Sequence, residues 1–233
     1  MRHLNDADEV RAQYACEDNL RARQAIYDQY EGESPRDRAF DTIAELRPRL
    51  VLEVGGGQGE LAQRLVDELD VELHFVDQSE RMVELAIARG IDAQVGDVQD
   101  LPFADGTFDC AVAAWMLYHV PDLDRALDEL ARVLRFGGHL VAVTNGEDHL
   151  RELRDVFTLD FHSTFTRENA GAMLERRFRG VERRDVDGLV TLPSRDAVIA
   201  YGRSMIGGDD FDPGPFDVPL RSHTRVSIFV ATK

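Results

Sequence analysis

Residues 51–61 read VLEVGGGQGEL: an apolar run carrying one acid, then glycine at four of the next five positions. A short run of branched hydrophobic residues bounded by glycine describes a strand, here expected over 50–54. The glycines behind it let the backbone turn tightly and come close to a ligand. Spacing decides which ligand. A phosphate-gripping P-loop needs Gly-x-x-x-x-Gly-Lys-Ser/Thr, and no such lysine follows these glycines. The dinucleotide fingerprint Gly-x-Gly-x-x-Gly/Ala meets Glu60 at its third small position when counted from Gly55. Counted from Gly57 it ends on Ala62, out of phase with the strand. What stays in phase is Glu53-x-Gly55-x-Gly57-x-Gly59. A carboxylate at the head of that turn disfavours a pyrophosphate and suits a ligand with an amino or sulfonium group.

The flanking sequence supplies the setting. Further strands are expected over 72–77, 91–95, 108–116 and 139–145, alternating with helical patterns. One helix follows the glycine turn as far as about Leu69. Another starts after Ser79 and carries Met82, Leu85 and Ala86 on one face. A third opens at Asp122 with Leu123, Ala126, Leu127, Leu130, Ala131 and Leu134 in helical register, and Gly137-Gly138 are expected to stop it. Such alternation predicts a doubly wound α/β fold, a mostly parallel sheet with helices on both faces. Its ligand crevice lies beyond the carboxyl ends of the strands. Residues 1–40 are expected to form an N-terminal helical cap, with 41–233 as the main domain. Beyond 150, helices are expected near 147–158, 166–177 and 194–204, with strands near 180–187 and 225–232. The Gly/Asp/Pro stretch 207–219 is either a lid or an irregular connection.

Two more acids extend the ligand pattern. Asp77 ends the second strand, 22 residues after Gly55, where a carboxylate can accept from both hydroxyls of a ribose. Asp97 follows the third strand, placed to accept from an adenine amine, with the Val98 backbone N–H nearby. The pieces VLEVGGGQGEL, FVDQSERMVELA, GDVQDLPFADGTFDCAV, MLYHVPD and ALDELARVLRFGGHLV occur in that order over nearly a hundred residues. Together they resemble the class I, Rossmann-like S-adenosylmethionine-dependent methyltransferases, in the group that modifies small molecules.

The resemblance implies a seven-stranded sheet whose last strand, RVSIFVAT (225–232), runs antiparallel. It implies S-adenosylmethionine as cofactor, with Gly55, Gly57 and Gly59 lining its turn and Glu53 on its methionine side. Asp77 would take the ribose, Gln78 and Met82 would flank the adenosine, Asp97 and Val98 would hold the adenine, and Ala114 would meet the methionine part. Tyr14 and Arg23 of the cap would reach the methionine carboxylate. The family's usual Arg-Pro-Gly-Gly is here Arg135-Phe136-Gly137-Gly138, which lacks the rigid helix stop.

Methyl transfer from a sulfonium is an in-line displacement that needs alignment and a dry site; it needs a base only when the acceptor must lose a proton. His119 and His162 are the candidate bases, each with a structural reading beside it. Tyr30, Trp115 and Tyr118 are candidate walls of the acceptor pocket, or ordinary core. His3, His74, His139, His149 and His223 read as exposed or strand residues without motif support. No metal is expected.

Composition narrows the partners. A net charge of −17 repels phosphate backbones, so a small-molecule acceptor is expected rather than nucleic acid. The basic stretch RRFRGVERR (176–184) reads as a solvated helix end running into an edge strand. Cys110 reads as a small core residue, and the two cysteines form no disulfide framework. The polar start and the shortness of CAVAAWML (110–117) point to a cytoplasmic chain with no membrane partner. Three rivals stand beside this reading: an RNA or protein methyltransferase, a non-catalytic cofactor-binding partner, and, weakest, a nicotinamide dehydrogenase.

Overall fold

The computed structural model describes residues 2–3, 18–157, 161–205 and 213–233. Its strands in chain order are β1 (Arg2–His3), β2 (Tyr30–Gly32), β3 (Leu50–Val54), β4 (Glu72–Asp77), β5 (Asp92–Val95), β6 (Phe108–Ala114), β7 (Leu134–Asn145), β8 (Phe161–His162), β9 (Val181–Leu192) and β10 (Leu220–Thr232). β1 and β8 pair only with each other; the remaining eight form one sheet in the order β2-β9-β10-β7-β6-β3-β4-β5. The five strands from β5 to β7 are parallel, while β10 lies antiparallel between β7 and β9.

Both faces of the parallel part are buried, and the alternation within β3 shows how. Val51 packs with Phe75, Cys110, Val112 and Val141 on one face, beneath Ile43, Leu65 and Ala86. Those three come from α2 (Pro35–Leu46), α3 (Glu60–Glu68) and α4 (Glu80–Ala88). Leu52 and Val54 point the other way, toward Ala111, Ala113 and the Leu127 and Leu130 side chains of α5 (Leu123–Val133). A strand that alternates between two apolar layers has no polar face, which is why it reads as a continuous hydrophobic run. The expected caps are present: the Ser79 hydroxyl accepts from the Met82 N–H and the Asp122 carboxylate from the Arg125 N–H.

Four features depart from expectation. The sheet has an eighth strand, because β2 adds antiparallel to β9 with Tyr30 opposite Val190. The cap is therefore not wholly helical: α1 (Asp18–Ala25) gives way to a short 3-10 turn over Ile26–Gln29 and then to β2. A boundary after residue 40 would also cut through α2. Helix α5 stops at Val133 rather than at the glycines, with Leu134 already extended and the Lys233 Nζ donating to the carbonyls of Arg132 and Leu134. Gly137 and Gly138 lie inside β7.

Strands β9 and β10 pair over twelve positions, from Leu220 opposite Leu192 to Ala231 opposite Val181. Their length was hidden because charged pairs decorate the ribbon, including Arg183 with Asp185 and Arg167 with Asp185 and Asp187. Three arginines of the basic stretch 176–184 are paired, Arg177 with Asp124 and Asp128, Arg183 with Asp185 and Arg184 with Glu45. Helices α6 (Arg151–Phe157), α7 (Ala170–Leu174) and α8 (Arg195–Ser204) complete the fold. Among the described residues, no helix is long and apolar enough to cross a membrane.

Candidate cofactor and active site

Parallel strands end on one side of the sheet, and a cavity of about 1330 Å³ opens there, lined by residues following β3, β4, β5, β6 and β7. The glycine turn forms part of its floor. Gly55 has φ +62° and donates its N–H to the Val76 carbonyl at 2.7 Å; a Cβ there would stand 2.8 Å from the Met116 Cβ. Only glycine meets both demands. Gly57 donates its N–H to the Asp77 carboxylate at 3.3 Å, coupling the turn to the next strand end.

Gly56 was not singled out by spacing, yet it is tightly enclosed. A Cβ added to it would fall 2.5 Å from the Phe75 ring and 2.7 Å from the Glu53 carboxyl, both fully buried. Gly56→Ala is therefore expected to lower stability by about 1–3 kcal/mol, the usual cost of overpacking, read as a fall in Tm without cofactor. An unchanged Tm would show that the turn is looser than its geometry implies.

Two expected cofactor residues lie off the cavity wall. Gly59 caps α3, where its missing side chain lets the helix approach Ala86; a Cβ would be 3.2 Å from the Ala86 Cβ. Met82 is fully buried under α4, its backbone N–H held by Ser79, and does not line the cavity. Helix register turned it toward the sheet rather than toward the crevice.

The acids dominate the site's electrostatics. Glu53 is 1% exposed, and no well-formed hydrogen bond reaches either carboxylate oxygen, the Ala62 backbone N–H being its nearby donor. Burial, reinforced by the nearby Asp77 carboxylate, pushes its pKa up to about 8; the Ala62 backbone N–H opposes this in part. Asp77 accepts from the backbone N–H groups of Gly57 and Ser79, and burial still raises it to about 6. These backbone donors, with the Gln78 N–H beside them, leave part of its acceptor capacity unused. Asp97 stands exposed on the rim, gripped by the Gln99 amide, whose oxygen accepts from the Asp122 N–H. Gln99, which no motif marks, ties Asp97 to the start of α5. Gln78 is also exposed on the rim, while Val98 and Ala114 form wall.

Arg23, Tyr30, Trp115, Tyr118 and His119 all line the same cavity. Trp115 is held at φ +54° with its indole N–H donating to Asn145 Oδ1 at 3.2 Å. The Tyr118 and His119 rings meet at 4.5 Å between centroids. Tyr14 and the His162 side chain fall outside the described residues.

His149 corrects the reading of an exposed or strand residue. It is buried in the cavity wall, its Nδ1 against the Arg225 backbone and its Nε2 3.4 Å from the Tyr27 hydroxyl. Burial lowers it to about 4, so it is neutral at pH 7. Tyr27, Phe157 and Tyr201 join it, with Phe157 and Tyr201 stacked at 5.9 Å. No local motif marks these residues, because they meet only after β2 and the segment behind β7 close over the sheet.

Fitness for the cofactor rests on the buried, under-satisfied carboxyl of Glu53. A cationic ligand restores the interactions that burial removed, and S-adenosylmethionine carries both a sulfonium and an ammonium. Asp77 at the end of β4 and Asp97 on the rim add two further acceptor groups along the same strand ends. Among the described residues, no group of three or more His, Cys, Asp or Glu could hold a metal ion.

Comparison with known proteins agrees. The chain belongs to the class I, Rossmann-like S-adenosylmethionine-dependent methyltransferases. A family model for a methyltransferase domain matches residues 52–142, the segment from β3 into β7. The malonyl-[acyl-carrier protein] O-methyltransferase of Geobacter sulfurreducens is 31% identical over 215 residues, covering 81% of this chain and 79% of that protein. The chloroplastic 2-methyl-6-phytyl-1,4-hydroquinone methyltransferase 2 of Oryza sativa subsp. japonica is 36% identical over 142 residues, 58% of this chain. This chain spans only 40% of the rice protein's length. In fold, a putative methyltransferase from Bacillus halodurans superposes with a TM-score of 0.66 at 19% identity, over 86% of this chain and 99% of that one.

Proposed function

We propose that this protein transfers the methyl group of S-adenosylmethionine to an O, N or C atom of a small organic acceptor. One observation carries the reading: the cavity that begins at the acidic floor of strand ends continues into an aromatic chamber around Tyr27, Phe157 and Tyr201. Its volume, about 1330 Å³, exceeds the ~300–1,000 Å³ of an ordinary small-molecule pocket, which supports a donor and an acceptor side by side. The Geobacter and rice relatives, named for methylating malonyl-[acyl-carrier protein] and a phytyl hydroquinone, support a small organic group as acceptor. The charge of −17 argues against RNA.

S-adenosylmethionine supplies an electrophilic methyl on a positively charged sulfur. The chain's own part is to hold and align. Asp77 takes the ribose hydroxyls, Asp97 with Val98 the adenine edge, and Glu53, once ionised, offsets the ligand's positive charge. Arg23, on the cavity wall, takes the methionine carboxylate. Trp115, Tyr118 and Tyr30 wall the site and keep water out, so that acceptor and methyl meet in line. His119 stands on the wall, where it can take a proton from an acceptor that must lose one.

Incubation with methyl-labelled S-adenosylmethionine and pools of small metabolites tests this directly, with tRNA and protein pools run in parallel. Label is expected in the small-molecule fraction. Label only in a macromolecule would overturn the choice of acceptor. Tight S-adenosylhomocysteine binding without any transfer would support a non-catalytic binder instead.

A further inference from the structure

We propose that Arg154, with the Tyr201 hydroxyl beside it, binds an anionic group, a carboxylate or a phosphate, on the methyl acceptor. The inference deepens the proposed function and rests on it.

Charge accounting around the cavity carries the argument. Four of its lining residues are arginines: Arg23, Arg36, Arg64 and Arg154. Arg36 is already neutralised by Glu60 at 3.0 Å, and Arg64 by Asp37 at 2.6 Å and Glu68 at 2.9 Å. Arg154 differs. Its Nη1 donates to the Glu147 backbone carbonyl at 2.8 Å, its Nε is buried without a hydrogen-bond partner, and no carboxylate among the described residues lies within ion-pair distance. In a chain of net charge −17, acidic partners abound, so a half-buried cation lacking one is notable. A buried N–H left unmade costs more than a surface one, and an incoming anion would satisfy it.

The surroundings fix where such an anion sits. Burial raises the pKa of the Tyr201 hydroxyl, and the charges of Arg23 and then Arg154 act on it in the opposite sense; the hydroxyl makes no hydrogen bond among the described residues. Tyr201 and Phe157 stack behind it, on the α6–α8 side of the cavity. Guanidinium and hydroxyl thus offer two kinds of donor to one oxyanion, while the stacked rings offer an apolar surface to the rest of the acceptor. Asp77, at the end of β4, lies several strands away from the β10 side where α6 packs, so its ionised carboxylate disfavours an anion at the donor floor rather than at Arg154.

The test uses the full chain saturated with S-adenosylhomocysteine. Benzoate, cinnamate and decanoate are each compared with their primary amides, and phenyl phosphate with phenol, by ligand-observed NMR titration. At least one acid is expected to bind about tenfold or more tightly than its neutral counterpart. Preference for carboxylates or for phenyl phosphate identifies which anion the site takes. Arg154→Met is expected to erase that preference while leaving S-adenosylhomocysteine affinity unchanged; Arg154→Lys should retain part of it, and Tyr201→Phe should weaken it. Circular dichroism confirms that each variant is folded.

The proposal is overturned if no acid outbinds its neutral partner, or if the preference survives in Arg154→Met. It is also overturned if Arg154→Met weakens S-adenosylhomocysteine binding, since Arg154 would then serve the cofactor's own carboxylate. Failure of the wild-type chain to bind S-adenosylhomocysteine at all would instead sink the proposed function.

Discussion

Asp77→Ala is expected to weaken S-adenosylhomocysteine binding at least tenfold, measured by calorimetry near pH 8. Burial raises Asp77 only to about 6, so at that pH the wild-type carboxylate is ionised and accepts at full strength. Hydrogen bonds to a charged group contribute roughly 1.5–3 kcal/mol each, and 1.4 kcal/mol is already a factor of ten. The substitution also strips the Gly57 and Ser79 N–H groups of their acceptor, loosening the turn that the ligand must approach. Asp77→Asn, which keeps one acceptor oxygen, should fall between wild type and alanine. An unchanged affinity in Asp77→Ala would remove this residue from the site.

The second large effect concerns Glu53 and pH. Its carboxyl keeps its proton in the folded chain up to about 8, against an ordinary value of 4.5. Between those values the folded state binds more protons than the unfolded state, so stability falls as pH rises. The contribution is fully present below 4.5 and is lost once the pH passes about 8. A shift of this size corresponds to something on the order of 3–5 kcal/mol. Asp77, raised to about 6, adds a smaller loss of the same sign, and the two titrate as a pair.

Glu53→Gln should therefore flatten the profile of Tm against pH between about pH 5 and pH 9, and melt above wild type at the alkaline end. Binding should show the reverse slope. A cationic ligand favours the ionised carboxylate, so affinity for S-adenosylmethionine should rise through this window, and more than affinity for uncharged-sulfur S-adenosylhomocysteine. Glu53→Gln should lose most of that gain. Identical pH profiles in the variant would show that Glu53 does not titrate as its burial requires.

How much of this was legible from residues alone follows from where each signal comes from. Strands β3 to β7 and helices α3 to α5 announce themselves locally, through apolar runs for a doubly covered sheet and through Ser79 and Asp122 at helix starts. Asp77 and Asp97 were legible because each ends a recognisable strand. Strand β2 was not, since YEG is three residues long and forms only because β9 offers it an open edge. The β9–β10 ribbon was underestimated because charge pairs on its surface interrupt the hydrophobic pattern. Gly56 looked like spacing filler; its constraint lies in Phe75, almost twenty residues away. His149, Arg154 and Tyr201 carry no motif at all, and long-range closure alone brings them to the cavity.

The most direct test of the central claim is a crystal structure of the chain with S-adenosylhomocysteine bound. The ribose hydroxyls are expected on Asp77, the adenine amine at Asp97, and the thioether sulfur open toward the chamber of Tyr27 and Tyr201. A nucleoside bound away from the Glu53–Gly59 turn, or a sulfur facing a closed wall, would contradict the account.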